Sequence, residues 1–235
     1  LSFALLGVFP LLAKKLLAAV KQRRVYRGWS KPKKFDRNLI VIGGGAAGLV
    51  SAYIAAAVKA KVTLIEAHKM GGDCLNYGCV PSKALIKSAK VAQQMRSAEN
   101  YGLNASEPSF SFGKVMARVH KIIAMVEPHD SVERYTKLGV EVLQGYGKLV
   151  DPWTVSITLN NGEQQTLTSR AIIIAAGAKP FVPPIPGLDQ AGYLTTDTLW
   201  QKFAERDLPP KRLVILGGGP IGCELAQSFA RLGAE

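Results

Sequence analysis

Two cysteines separated by four residues carry the clearest chemistry in this 235-residue chain. They lie in Gly71-Gly72-Asp73-Cys74-Leu75-Asn76-Tyr77-Gly78-Cys79-Val80-Pro81-Ser82-Lys83. The spacing is not that of a CxxC zinc knuckle and no second pair completes such a site, so no metal is expected. Thiols act as nucleophiles in their thiolate form, and a helix N-terminus lowers the pKa that controls it. Pro81 suits a first helical turn, and Ala84–Met95 continues in helical composition. On a regular helix, positions five apart rise about 7.5 Å, beyond comfortable disulfide reach. The segment must therefore bend, and Gly78 makes that easy. The bland alternative is a pair of buried, inert cysteines. Lys83 comes four residues after Cys79 and would share its helix face. Cys223 has no partner in sequence and reads as a small packed residue. His68, His120 and His129 show no ligand spacing and read as surface or structural residues.

These thiols need elements to hold them, and the preceding sequence supplies a nucleotide fold. Asn38–Ile42 is a short apolar run suited to a buried parallel strand. It enters Gly43-Gly44-Gly45-Ala46-Ala47-Gly48, a G-x-G-x-x-G turn. Leu49–Ala60 then reads as a helix and Lys61–Ile65 as a second strand, ended by Glu66. Gly43 permits the tight turn, Gly45 lets backbone approach a pyrophosphate, and Gly48 lets helix pack on strand. Glu66 can accept hydrogen bonds from ribose hydroxyls. The bland alternative is a tight turn without a ligand, and the flanking elements favour dinucleotide binding. A similar segment, LVILGGGPIGC at 213–223, matches LIVIGGGAAGL at 39–49, so a second strand–glycine turn–helix unit is expected, with its strand at 213–216 and Gly217, Gly219 and Gly222 in its turn.

Composition supports a globular α/β protein: 48% of residues are apolar, 20% are charged, and Gly and Pro number 23 and 13. Three cysteines are too few for a secreted disulfide scaffold. The net charge of +13 would suit a nucleic-acid binder, but it is concentrated. Residues 14–37 hold ten basic side chains and one acid, Asp36. Few aromatics are interleaved there (Tyr26 and Trp29), so nucleic acid is not an expected partner. Ahead lies the uncharged LSFALLGVFPLLA, too short to span a bilayer, which takes about 20 residues. Its charges come after the apolar run, the reverse of a signal peptide. We expect the tail of a transmembrane segment in a longer protein cut at Leu1, with an interfacial or partner-packed helix as the alternative. Flanking basic residues would keep the downstream nucleotide fold on the cytoplasmic face of a membrane; without attachment the expectation is cytoplasmic.

GGDCLNYGCVPSK after a dinucleotide fold closely resembles the redox motif of the class I pyridine nucleotide–disulfide oxidoreductases. This family includes dihydrolipoamide dehydrogenase, mercuric reductase and glutathione reductase. The resemblance extends from about Arg37 to Glu235. It includes AIIIAAGAKP at 171–180, similar to the family's apolar strand and glycine turn, with Ala176 where threonine is usual. It also takes in the Pro-rich Phe181–Gly187 and the second glycine turn. Pro-Ser-Lys after Cys79 leans toward the dihydrolipoamide dehydrogenase and mercuric reductase branches. The apolar stretch and basic linker also resemble fusions of such enzymes to a SNARE-associated Golgi-type (DedA-like) membrane domain.

The resemblance implies a three-layer, Rossmann-like FAD/NAD(P)-binding α/β fold with a truncated second dinucleotide unit. It implies a leader over 1–36, an incomplete FAD-binding domain over 37–190 and the start of an NAD(P)-binding domain over 191–235. FAD would meet Gly43, Gly45, Gly48, Glu66, Gly72, Lys83 and Gly177, and NAD(P)H would meet Gly217, Gly219 and Gly222. Cys74 would be the interchange thiol and Cys79 the charge-transfer thiol, with Lys83 near flavin N5 and Glu224 pairing with Lys83 in a partly buried ion pair. Electrons would pass between NAD(P)H, FAD and a Cys74–Cys79 disulfide to a small-molecule or protein dithiol/disulfide, or to a metal ion. In the family a His-Glu pair from the partner subunit's C-terminal domain serves as acid–base, which implies a homodimer for the full-length protein. The fragment alone is expected to be inactive. The competing expectation is a membrane-associated flavin-binding sensor or scaffold without turnover.

Overall fold

Leu39, Ile40 and Val41 have no polar side chain to solvate, so the first strand, β1 (Arg37–Ile42), settles at the centre of a parallel sheet. A computed structural model, which describes residues 2–235, pairs β1 with β2 (Val62–Glu66) on one side and with the end of β5 (Gln164–Ile174) on the other, both parallel. The first half of β3 (Val140–Asp151) extends the sheet beyond β2. Sequence pattern locates β1 and β2 to within a residue. It assigns no element to Val140–Arg170, where the chain forms an antiparallel meander of β3, β4 (Thr154–Leu159) and β5. Because β3 and β5 each belong to both sheets, the strand circuit closes on itself.

Three layers result, as the family resemblance implies. The helix α2 (Ala46–Ala57) covers one face of the parallel sheet: Leu49, Ala52 and Ala56 pack with Val41, Val62 and Leu64. The short α6 (Val132–Lys137) adds Tyr135 to that cluster. On the other face, Ile40 and Ile65 meet Val155 and Ile157 of the meander. At the N-terminal ends of the strands, Glu141 Oε2 accepts from Thr63 Oγ1 at 2.5 Å and from Arg37 Nη2 at 2.5 Å, which satisfies the fully buried threonine hydroxyl.

A second core lies among helices. After β2 come α3 (Gly72–Asn76) and α4 (Cys79–Arg96), then α5 (Phe112–Val126). Leu85, Ala89, Phe112 and Met116 pack with Trp200 and Phe203 of α7 (Thr196–Ala204) and Phe229 of α8 (Pro220–Arg231).

One expectation needs correction. No strand forms at 213–216, where Val214 is 85% exposed. Among the described residues it has only the start of a ladder, Leu213 N–H to the Glu235 carbonyl and Glu235 N–H to the Lys211 carbonyl, and a strand needs a full neighbour. The leader forms a single helix, α1 (Ser2–Val25), that runs through Pro10 and Ala13 into the basic stretch. No helix among the described residues is long and apolar enough to cross a membrane. Leu1 and the side chains at 2–9 and 11, on which the membrane-segment expectation partly rests, lie outside the described residues. Beyond α1, Tyr26 packs on Trp153 of the meander at 5.0 Å between ring centroids.

Candidate functional site

Strand order sets where a ligand can lie. β1 leads to β2 on one side while β5 returns on the other, so a crevice opens at the C-terminal ends of the strands. Gly43 stands there with φ of 108°, and a Cβ on it would lie 2.1 Å from the Ala175 carbonyl oxygen. On Gly48 a Cβ would lie 1.8 Å from the Gly43 carbonyl oxygen. Each glycine lets backbone touch backbone, the first joining the turn to the end of β5 and the second seating α2 on the turn. Gly72, with φ of 54°, approaches Gly45 so closely that a Cβ would stand 2.6 Å from the Gly45 Cα. A lone parallel bridge between Gly45 and Gly71 joins the same two segments. The first glycine turn and the cysteine segment are therefore one unit. Gly177, with φ of 68°, borders it through Asp73.

Glu66 is held from both sides. Its Oε2 accepts from the Gly44 N–H at 2.5 Å and its Oε1 from the His68 N–H at 2.7 Å. An ionised carboxylate offers about four lone-pair sites, so two remain for a ribose diol. Sequence reasoning does not single out Gly44; the triple glycine is its only signal. At α2 the cap is Gly45, and no side chain accepts from the first turn of the helix. The free N–H groups, the bare glycine surface and the fixed acid fit the pyrophosphate and ribose of a dinucleotide such as FAD.

The second turn repeats this construction. Gly217 has φ of 112°, a Cβ on Gly222 would lie 2.2 Å from the Gly217 carbonyl oxygen, and Gly219 caps α8 without a side-chain hydrogen bond. Gly217 and Gly219 are exposed, whereas Gly222 is half-buried against Gly217.

Cys74 lies in α3, Cys79 opens α4, and both are free thiols. Gly78, with φ of −119° and ψ of −104°, breaks the chain between the two helices, which is the bend that the spacing requires. The expectation of a lowered pKa does not hold for Cys74. Burial pushes its thiol up from the ordinary 9.0 to about 11, and the neighbouring Cys79 thiol adds to this. The five-residue α3 contributes too little dipole to offset the desolvation. Cys79 is exposed.

Lys83 and Glu224 meet across α4 and α8, with Lys83 Nζ donating to Glu224 Oε2 at 2.6 Å. Their side chains are 60% and 43% exposed, so the pair is a surface contact rather than the partly buried one expected. Beside Glu224, Cys223 is exposed as well, its thiol directed at the Gly218 carbonyl at 3.4 Å, and it is not the packed residue that the sequence suggests. His68 lies edge-on to Tyr146 at 6.0 Å, and no group of metal-ligating side chains occurs among the described residues.

Comparison with known proteins bears on the same residues. A family model described as pyridine nucleotide-disulphide oxidoreductase matches residues 37–235. A dihydrolipoyl dehydrogenase of Zymomonas mobilis is 36% identical over 84% of the chain and 41% of its own length. A mercuric reductase of Bacillus cereus is 35% identical over 86% of the chain and 30% of its own length. Among solved structures, a copper(II) complex of a mutant HOCl-induced flavoprotein disulfide reductase RclA from Escherichia coli superposes with a TM-score of 0.69. It is 26% identical over 86% of the chain and is matched over 42% of its own length. The chain thus spans under half the length of these relatives.

Proposed function

Since the chain belongs to the pyridine nucleotide-disulphide oxidoreductase family, we propose that the protein carrying it is an FAD-dependent oxidoreductase. It would pass electrons between NAD(P)H and a disulfide, dithiol or metal-ion substrate by way of Cys74 and Cys79. Relatives named dihydrolipoyl dehydrogenase and mercuric reductase support turnover over a flavin-binding scaffold.

When bound, FAD supplies a two-electron relay between the nicotinamide and a disulfide. The residues that would hold it are Gly43, Gly45, Gly48, Glu66, Gly72 and Gly177, with NAD(P)H at Gly217, Gly219 and Gly222. A disulfide between Cys74 and Cys79 takes up two electrons and two protons to become two thiols. The dithiol then reduces a substrate disulfide to two thiols and closes its own S–S bond again. Cys74 would be the thiol that meets the substrate. Its raised pKa means it needs a base to remove its proton before attack, consistent with an acid–base pair supplied from a partner subunit. Cys79 would face the flavin, with Lys83 and Glu224 beside it. This assignment divides the chain into a flavin unit over 37–190 and the start of a nicotinamide-nucleotide unit over 191–235.

Attachment to a membrane surface belongs to the same proposal. α1 exposes Leu12, Leu16, Leu17 and Val20 among Lys14, Lys15 and Lys21, a mixture suited to anionic lipid on the cytoplasmic side.

The observation that carries the function is the joining of Gly45 to Gly71 and Gly72, which ties the phosphate turn to the segment bearing both thiols. The test is reduction of the flavin-loaded full-length protein with dithionite or NAD(P)H. A long-wavelength thiolate-to-flavin band is expected, and Cys79→Ser should abolish it. A band unchanged in that variant would overturn the roles given to the two cysteines.

A further inference from the structure

We infer that Trp200 is a positioning residue for the turn between the two cysteines, and that its indole N–H sets the balance between their dithiol and disulfide forms. The inference rests on reading Cys74 and Cys79 as a redox pair.

Trp200 sits on α7, far along the chain from the cysteines, and is 3% exposed. Its Nε1–H donates to the Tyr77 carbonyl at 2.7 Å. Tyr77 caps the C-terminus of α3, midway between Cys74 and Cys79, and its own N–H donates to the Asp73 carbonyl at 2.8 Å. A carbonyl at a helix C-terminus has no partner within the helix, and a buried indole N–H has no acceptor of its own. One bond satisfies both. The Tyr77 ring packs on the cluster that holds Trp200, so the turn is anchored by its side chain and by its backbone. Trp200 is fixed in turn: its carbonyl lies 3.3 Å from Nε2 of His120 on α5.

A disulfide tolerates a narrow range of geometry, with Cα atoms about 4.4–6.8 Å apart. Whatever restrains the peptide between Tyr77 and Gly78 restrains that separation, and so the effective concentration of one thiol at the other. A held turn favours ring closure. A released turn favours the dithiol and makes the disulfide easier to reduce.

The experiment equilibrates the full-length flavoprotein in mixtures of reduced and oxidised dithiothreitol and counts free Cys74 and Cys79 by alkylation and mass spectrometry. Trp200→Phe keeps the ring in the core and removes only the donor. It is expected to shift the equilibrium about threefold to tenfold toward the dithiol, which is roughly 15–30 mV for a two-electron couple. Phe203→Leu, in the same cluster without a bond to the turn, should leave it unmoved. A couple unchanged in Trp200→Phe, or shifted equally in Phe203→Leu, overturns the inference alone. Absence of a reversible couple in the unaltered protein removes the redox-pair reading and the inference with it. Should Trp200→Phe fail to fold, the indole N–H resonance of Trp200 in the unaltered protein serves instead. It is expected to move on oxidation while those of Trp29 and Trp153 do not, and a stationary Trp200 signal overturns the inference.

Discussion

At the scale of single residues, steric and electrostatic demands decide what each position can be. Gly48 cannot carry a side chain without displacing the Gly43 carbonyl. Gly48→Ala should therefore destabilise the fold by about 1–3 kcal/mol and empty the flavin site, as denaturant titration and flavin content would register. The Lys83–Glu224 pair is exposed on both sides, and surface pairs contribute about 0–1 kcal/mol. Glu224→Gln should leave the unfolding free energy within about 1 kcal/mol of the parent; a loss of about 3 kcal/mol would mean the pair is buried in solution. The Cys74 thiol has a folded pKa above its ordinary value. Its contribution to stability is therefore whole below about pH 9 and is lost as pH rises through about 11. Its thiolate fraction at pH 8 should be about 100-fold below that of a free cysteine, so iodoacetamide labelling of the flavin-free protein at Cys74 should climb with pH to about 11. Labelling that levels off near pH 9 would refute this. The glycines and Glu66 are legible in the sequence because their types alone encode the turn. The pKa of Cys74 is not, because it depends on burial by residues distant in the chain.

At the scale of elements, local pattern and tertiary neighbours divide the credit. β1, α2 and β2 are readable because an apolar run, a glycine turn and a small-residue helix agree with one another. The meander is harder to see, although its signals are present: TVSITL alternates at 154–159, and Asn160-Asn161-Gly162 marks a turn before β5. Glycine is needed within that turn, since Gly162 has φ of 91°. Gly162→Ala is expected to cost about 1–2 kcal/mol in equilibrium unfolding, because a Cβ strains the left-handed backbone there. The strand expected at 213–216 shows the opposite error. Its apolar sequence is right for a buried strand, yet pairing is a property of two strands.

At the scale of the whole molecule, the fold joins two tasks by contact rather than by adjacency in sequence. Residues 71–83 touch the first glycine turn at one end and, through Trp200 and Glu224, the helices of 196–231 at the other. Nothing in the sequence order of Tyr77 and Trp200 announces that bond. The leader exposes Leu12, Leu16, Leu17 and Val20 along α1. Vesicles containing phosphatidylserine should bind the protein at low salt and release it as salt rises, and deletion of 1–36 should abolish the binding.

The central claim, that one crevice couples a bound flavin to the Cys74–Cys79 pair, is tested most directly by counting electrons. Anaerobic titration of the FAD-loaded full-length protein should consume about four electrons per flavin, two for the flavin and two for the disulfide. Cys79→Ser should consume about two. Equal uptake by the two proteins would contradict the account.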